Sequence, residues 1–315
     1  MVSFWNLIVN ENIKIFKRSL FWIMQLVLLV AIIIAFVFVN YTNANHNYLN
    51  WKKDLIAQNK IDSVKLSNNK IPELLKSQIV REIKLNNYHL KHNIPPLYEN
   101  TTFGFVHYTI SISSLITLFT IIYASSIVSQ EYAWGTLKSL LIRPFHRWEL
   151  LLSKFLTILI ILAIFLLSLF VFSFLIGWIG FGFNNGSSHY VYLKGSTIRE
   201  MSVWKHFLEF YVSKFIDIAI ISSFAFMMST LFKHNALAIG VSLFIELSGS
   251  VITNVLSVFN HSFVKYIFFE NTNLYKFIEG PTPSTSLSFS IIILLVYFII
   301  FMGVSLLVFE GRDVT

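Results

Sequence analysis

The chain has 315 residues, of which 55% are hydrophobic and only 13% charged, with a net charge of +8 and no cysteine. Soluble domains carry about 25% charged residues, so the composition excludes an ordinary soluble protein and points to several passes through a membrane. Disulfides and thiolate metal sites are excluded with cysteine. The cations gather at the ends of apolar runs and in one hydrophilic loop, which fits topology and lipid contact and gives no nucleic-acid face.

Residues 1–19 form an amphipathic lead in which Phe4, Leu7, Ile8, Ile15 and Phe16 alternate with Asn10, Glu11, Lys14, Lys17 and Arg18. The pattern predicts an interfacial helix with its cations among lipid headgroups. An unbroken apolar run occupies 20–39. It exceeds the apolar core of a secretory signal, about 7–15 residues, and no A-x-A-like site comes after it. An uncleaved first span with a cytoplasmic N-terminus is expected.

Residues 41–103 are the one large hydrophilic insertion, rich in Asn and Lys. Pro72 suits a first helical turn, and Leu75, Ile79 and Ile83 recur at helical spacing behind it. Ile94–Pro95–Pro96 then breaks the chain. Two short helices packed together outside the membrane are expected. His89 and His92 have a spacing that can hold a metal, but with no third ligand in view a solvated helix face is the plainer reading.

Apolar runs at 105–128 and 148–177 each exceed the roughly 20 residues that cross a bilayer. The charged segment between them, within 130–155, is therefore a tight turn at a membrane surface. Ala133, Leu137, Leu140 and Leu141 share one helical face, with Glu131, Lys138 and Ser139 off it. Pro144 ends that predicted helix, since it lacks an N–H and clashes with the carbonyl of Leu140. Arg143, Arg147 and Lys154 mark the cytoplasmic side.

The third span ends in GWIGFGF, where Gly177, Gly180 and Gly182 allow close packing or a helix end. No strand–turn–helix unit surrounds these glycines, so they are not a dinucleotide fingerprint. Asn184–Gly186 is read as an outer turn. Trp204, Phe207, Leu208, Tyr211 and Phe215 then mark one helix face, either an external interfacial helix or the start of a long fourth span ending near Phe232. Asp217 in that stretch comes three residues after Lys214, and reads either as half of a local ion pair or as a substrate-path residue.

A fifth span is expected at 236–259. Glu246 near its middle costs about 2.5–3.5 kcal/mol if charged, and Ser242, Ser250 and Asn254 extend a polar stripe from it at four-residue steps. Such a stripe must face protein or water. It is either hydrogen-bonded packing or a wall of a substrate path. An outer segment at 260–287 and a last span at 288–309 complete six spans with both termini inside.

The run Glu131 to Arg147 reads E-x-x-x-G-T-L-K-x-L-L-x-R-P-x-x-R. It resembles the cytoplasmic loop of type-2 ABC exporter permeases. The ending Phe309-Glu310-Gly311-Arg312-Asp313-Val314 resembles that family's aromatic and basic tail, with Gly311 in place of the first basic residue. The resemblance covers nearly the whole chain and is weakest over 41–103. It implies an all-α permease subunit, residues 1–315, in a bacterial cell membrane, with a coupling helix at 130–147 that seats in a separate ATPase. Two ATPase copies would hold ATP and Mg, this chain would bind no cofactor and be no enzyme, and a second permease chain, identical or related, would complete the path. The resemblance implies a coupling role for Glu131, Gly135, Thr136, Leu137, Lys138, Leu140, Leu141, Arg143, Pro144 and Arg147.

No G-x-x-x-x-G-K-[ST], H-E-x-x-H or G-x-S-x-G occurs in the chain. The expected function is export of an amphipathic molecule or peptide, such as drug or antimicrobial-peptide efflux. The alternatives are an ATP-independent transporter or channel, which would need paired broken helices in two related halves, and a non-transporting sensor or immunity protein that binds a peptide with 41–103.

Overall fold

The computed structural model describes residues 4–42, 50–67, 72–135, 146–182, 187–232, 234–259, 261–281, 283 and 285–311. Five helices are long and apolar enough to cross a membrane: α2 (Ser19–Thr42), the rod Thr102–Ser126, α8 (Arg147–Phe181), α9 (Val203–Leu231) and α13 (Leu287–Gly311). The rod is α5 (Thr102–Tyr108) and α6 (Ser113–Ser126) joined through one 3₁₀ turn. Even the shortest span, 24 residues, is about 36 Å long at 1.5 Å per residue, enough for a core of about 30 Å. α10 (Asn235–Phe259) packs on α6 and α9, its apolar part is Asn235–Gly249, and the short helices α11 (His261–Val264) and α12 (Phe268–Asn271) come between it and α13.

α9 is the central helix, touching α6, α8, α10 and α13. Its small residues Ser222, Ser223, Ala225 and Ser229 are buried and let neighbours approach closely. Hydrocarbon offers no water at that depth, so hydroxyls turn back on the helix: Ser222 Oγ donates to the Ile218 carbonyl at 2.7 Å and Ser223 Oγ to that of Ile220 at 2.6 Å. Thr120 and Ser125 do the same on α6. The apolar core runs through Leu28, Ile32, Ile121, Leu151, Phe165 and Phe226.

α1 (Phe4–Phe16) lies along the start of α8 with Leu7, Ile8, Glu11 and Ile15 buried, while Trp5, Val9 and Ile13 stay exposed. The amphipathic lead thus seats one face on protein. In the insertion, α3 (Trp51–Leu66) and α4 (Glu73–His92) pack on each other, joined by Asn59, Asn86 and Asn87 side-chain amides at 2.9 Å. His89 Nδ1 donates to the Ile94 carbonyl at 2.8 Å, and His92 stacks on Tyr88. Burial holds the His89 ring below the ordinary histidine pKa, which suits this neutral donor. Among the described residues no group of three potential metal ligands forms.

The glycines at the end of α8 perform both expected roles. Gly177 and Gly180 face the Phe105 and Phe36 rings, which a Cβ at either position would crowd, and Gly182 at φ 82° ends the helix. The outer turn expected at 184–186 lies outside the described residues, and the segment beyond it is not loop. β1 (His189–Lys194) and β2 (Thr197–Ser202) form an antiparallel hairpin across the two-residue turn Gly195–Ser196, with Gly195 at φ 62°. Gly195 N–H donates to the Gly280 carbonyl, and Gly280 N–H donates to the Leu193 carbonyl, at 2.8 and 3.0 Å. The hairpin runs straight into α9, which makes the Trp204 face the start of one long helix.

Candidate functional site

The richest polar constellation lies where α7 (Ser129–Ala133) leaves α6. Lys154, about two turns into α8, is fully buried. Its Nζ donates to Glu11 Oε2 at 2.8 Å and to Glu131 Oε1 at 2.6 Å. Lys14 pairs with Glu11 Oε1 and lies 3.6 Å from Glu131 Oε1. Two cations and two carboxylates from three elements therefore neutralise one another, as burial of charge requires. Burial alone would raise the Glu11 pKa, but Lys154 and Lys14 outweigh it and hold the carboxyl below its ordinary value. The cavity beside the cluster is only about 20 Å³, too small for an organic ligand, so the cluster is a joint rather than a binding pocket.

Further ties converge on the same segment. Arg18 Nη1 donates to Gln130 Oε1 at 2.7 Å, and its guanidinium lies 5.2 Å from the Trp134 ring. Ser229 Oγ of α9 accepts the Val128 and Ser129 N–H groups at 3.1 and 3.0 Å, satisfying donors that the α6–α7 break would otherwise strand. Ser129 Oγ donates to Asn235 Oδ1, at the head of α10, at 3.2 Å. Arg147 Nη1 donates to the Glu310 carbonyl at 2.8 Å and reaches that of Phe309 at 3.5 Å, capping the C-terminal end of α13. His146 and Glu149 close a capping box at the start of α8.

Of the residues the sequence assigns to coupling, the structure places three. Glu131 is buried in the ion cluster, Arg147 is bonded to α13, and Gly135 at φ 68° closes the turn after α7. The described helix stops at Ala133, short of the face expected to continue through Leu137. Thr136, Leu137, Lys138, Leu140, Leu141, Arg143 and Pro144 lie outside the described residues. Glu11, Lys14, Ser229 and Asn235 join the site although no motif marks them. From sequence Lys154 is only a side marker, yet a lysine inside an apolar stretch signals a buried partner.

The polar stripe on α10 is less uniform than its spacing. Ser242 is buried and donates to the Ala238 carbonyl at 2.7 Å, Glu246 is half-buried, and Asn254 is exposed. The Ser250 side chain lies outside the described residues. Asp217 is buried and accepts the Leu274 N–H at 3.3 Å. Among the described residues it makes no ion pair with Lys214, so a backbone amide takes the place of the expected cation.

At the opposite end of the bundle a second, partly buried network joins His107, His206, Tyr275, Glu279 and Tyr190. Tyr190 and Tyr275 donate to the two Glu279 oxygens at 2.8 and 3.0 Å. Burial first, and the Glu279 carboxylate second, push both hydroxyls up, so both remain donors. Tyr275 Oη must then accept from His206 Nδ1 at 2.8 Å, and His206 Nε2 from His107 Nδ1 at 2.9 Å. The donors all point one way, toward Glu279.

Residues 74–315 match the family described as Protein of unknown function (DUF2705). The chain belongs to that family. It is 35% identical to the uncharacterized protein YhcI of Bacillus subtilis (strain 168), over 98% of this chain and 99% of the relative. It is 28% identical to the uncharacterized membrane protein YdbK of the same organism, over 67% of this chain and 82% of the relative. The DUF2705 match takes in Glu131, Lys154, Ser229 and the His107–Glu279 network, whereas Glu11 and Lys14 on α1 precede it.

Proposed function

We propose that this DUF2705 chain is the membrane permease of an ATP-binding cassette exporter, working with a separate ATPase. The observation that carries the reading is the buried Glu11–Lys154–Glu131 cluster. It fastens the entry to the 136–145 loop directly to α1 and α8, while Ser229 and Asn235 fasten the same entry to α9 and α10. A push on that loop would be delivered to four helices at once, as an element that rocks a bundle between two states requires. The loop's likeness to the type-2 exporter coupling segment supplies the partner.

In this reading α10 is the sixth span, being 25 residues and about 37 Å long. Both termini and the 136–145 loop face the cytoplasm of a bacterial cell. Two ATPase copies carrying ATP and Mg dock beneath two permease chains. Leu137, Leu140 and Leu141 insert into the ATPase, each burial contributing about 1.5–3 kcal/mol. The cargo is an amphipathic molecule or peptide, passing between the paired chains.

The test is co-purification of the tagged chain with a Walker-motif ATPase. Leu137→Asp with Leu141→Asp should abolish both ATPase recovery and export while the permease still inserts. Normal recovery and export by the double variant would reduce the loop to a simple turn and remove the exporter reading.

A further inference from the structure

Facing walls of α4 and the β1–β2 hairpin flank an open groove of about 790 Å³, within the range of about 300–1,000 Å³ typical of ligand sites. Lys76, Arg81 and Lys84 line it from α4, Arg81 and Lys84 as neighbours three residues apart. Lys194 and Arg199 line it from the hairpin, on either side of the Gly195–Ser196 turn. Glu73 is the single acid in the lining. The hairpin's own carboxylate, Glu200, is engaged elsewhere, 2.6 Å from His189 Nδ1 and 3.5 Å from Tyr88 Oη. Among the described residues none of the five cations has an ion-pair partner. Five like charges around one groove set up a positive potential that water and salt screen only in part, and a compact counter-charge seated among them is attracted from both walls.

We infer that this groove binds a phosphate-bearing anion. Arginine forks stand on both walls, Arg81 on the helix and Arg199 on the strand, and such forks match phosphate oxygens in pairs. The lysines add point charge without demanding geometry. One carboxylate would leave most of the charge unanswered, whereas one phosphate group brings about two negative charges in a compact volume. The 20-residue α4 also starts at the groove, where its first amides add to the positive field. Phosphate can reach the groove on a soluble polyanion or on a lipid headgroup. Such binding needs neither an ATPase nor export.

Sodium tripolyphosphate titrated into the full chain in zwitterionic nanodiscs, followed by calorimetry, tests it. Saturable binding is expected, weakening at least tenfold between 50 and 300 mM salt, about the loss that releasing several counterions brings. Arg81→Glu with Arg199→Glu should weaken it at least tenfold more. Lys91→Glu, an exposed change on α4 outside the lining, should leave it unchanged. In nanodiscs rich in phosphatidylglycerol, lowered tripolyphosphate affinity would identify the lipid headgroup as the natural source, and unaltered affinity a soluble one. No saturable binding, equal loss in Lys91→Glu, or hexa-aspartate binding as tightly as tripolyphosphate would overturn the assignment.

Discussion

At the scale of single residues, Lys154 decides most. It is wholly buried, so its charge is tolerable only while Glu11 and Glu131 accept its hydrogen bonds. Removing one member of such a group costs about 3–5 kcal/mol, because the remaining charge stays buried. Glu131→Ala is therefore expected to lower the melting temperature of the detergent-solubilised protein by several degrees, and Lys154→Met by as much. Combining Glu131→Ala with Lys154→Met should restore part of the loss, and strictly additive losses would show that the two side chains do not interact. Glu11 gives the cluster a pH dependence. Its folded pKa is depressed, so its stabilisation is present above the unfolded value of about 4.5 and is lost as pH falls through that value toward the folded one. The stability gap between wild type and Glu11→Gln should be full at pH 7 and shrink below pH 4.5. A gap that widens on acidification would reverse the assignment.

Among elements, five of the six expected spans were legible because hydrocarbon leaves little freedom: a run of apolar residues has to be helix. Gly177, Gly180 and Gly182 were legible for the same reason. The hairpin is hard to read although its signal is local, two short segments split by Gly195–Ser196. Charged and aromatic residues in HYVYLK and TIREMS blur the alternation, and Tyr190 and Tyr192 face the bundle instead of water. The ion cluster was legible only as a lone lysine in an apolar stretch, with nothing in the sequence to name its partners. Glu11 and Lys154 are 143 positions apart, and only the docking of α1 on α8 brings them together. Ser229 belongs to the same class of long-range tie. Ser229→Ala leaves two buried N–H groups without an acceptor, at about 1–3 kcal/mol, and should increase hydrogen exchange at Val128 and Ser129. Unchanged exchange there would mean the α6–α7 break is held by packing alone.

For the whole molecule, the proposed arrangement fixes sides. The chain has no cysteine, so single introduced thiols report their own surroundings without background. Ser63→Cys on α3 is expected to react with a membrane-impermeant maleimide in intact cells, and Ser139→Cys only after permeabilisation. Labelling of Ser139→Cys in intact cells would invert the topology and detach residues 136–145 from any cytoplasmic ATPase.

The Arg18–Trp134 contact also makes the site visible to light. Trp134 is 61% exposed, so its indole is wetted and should emit at long wavelength, with the Arg18 guanidinium over its face as a nearby charge. It sits two residues before Thr136, at the threshold of the loop. Anything that covers this surface must dry the indole and displace or trap the cation above it, shifting emission to the blue and changing its intensity. The difference between wild-type and Trp134→Phe spectra isolates this indole from the other six tryptophans. The chain thereby carries, without any added dye, an optical gauge at the place where a partner would press on it.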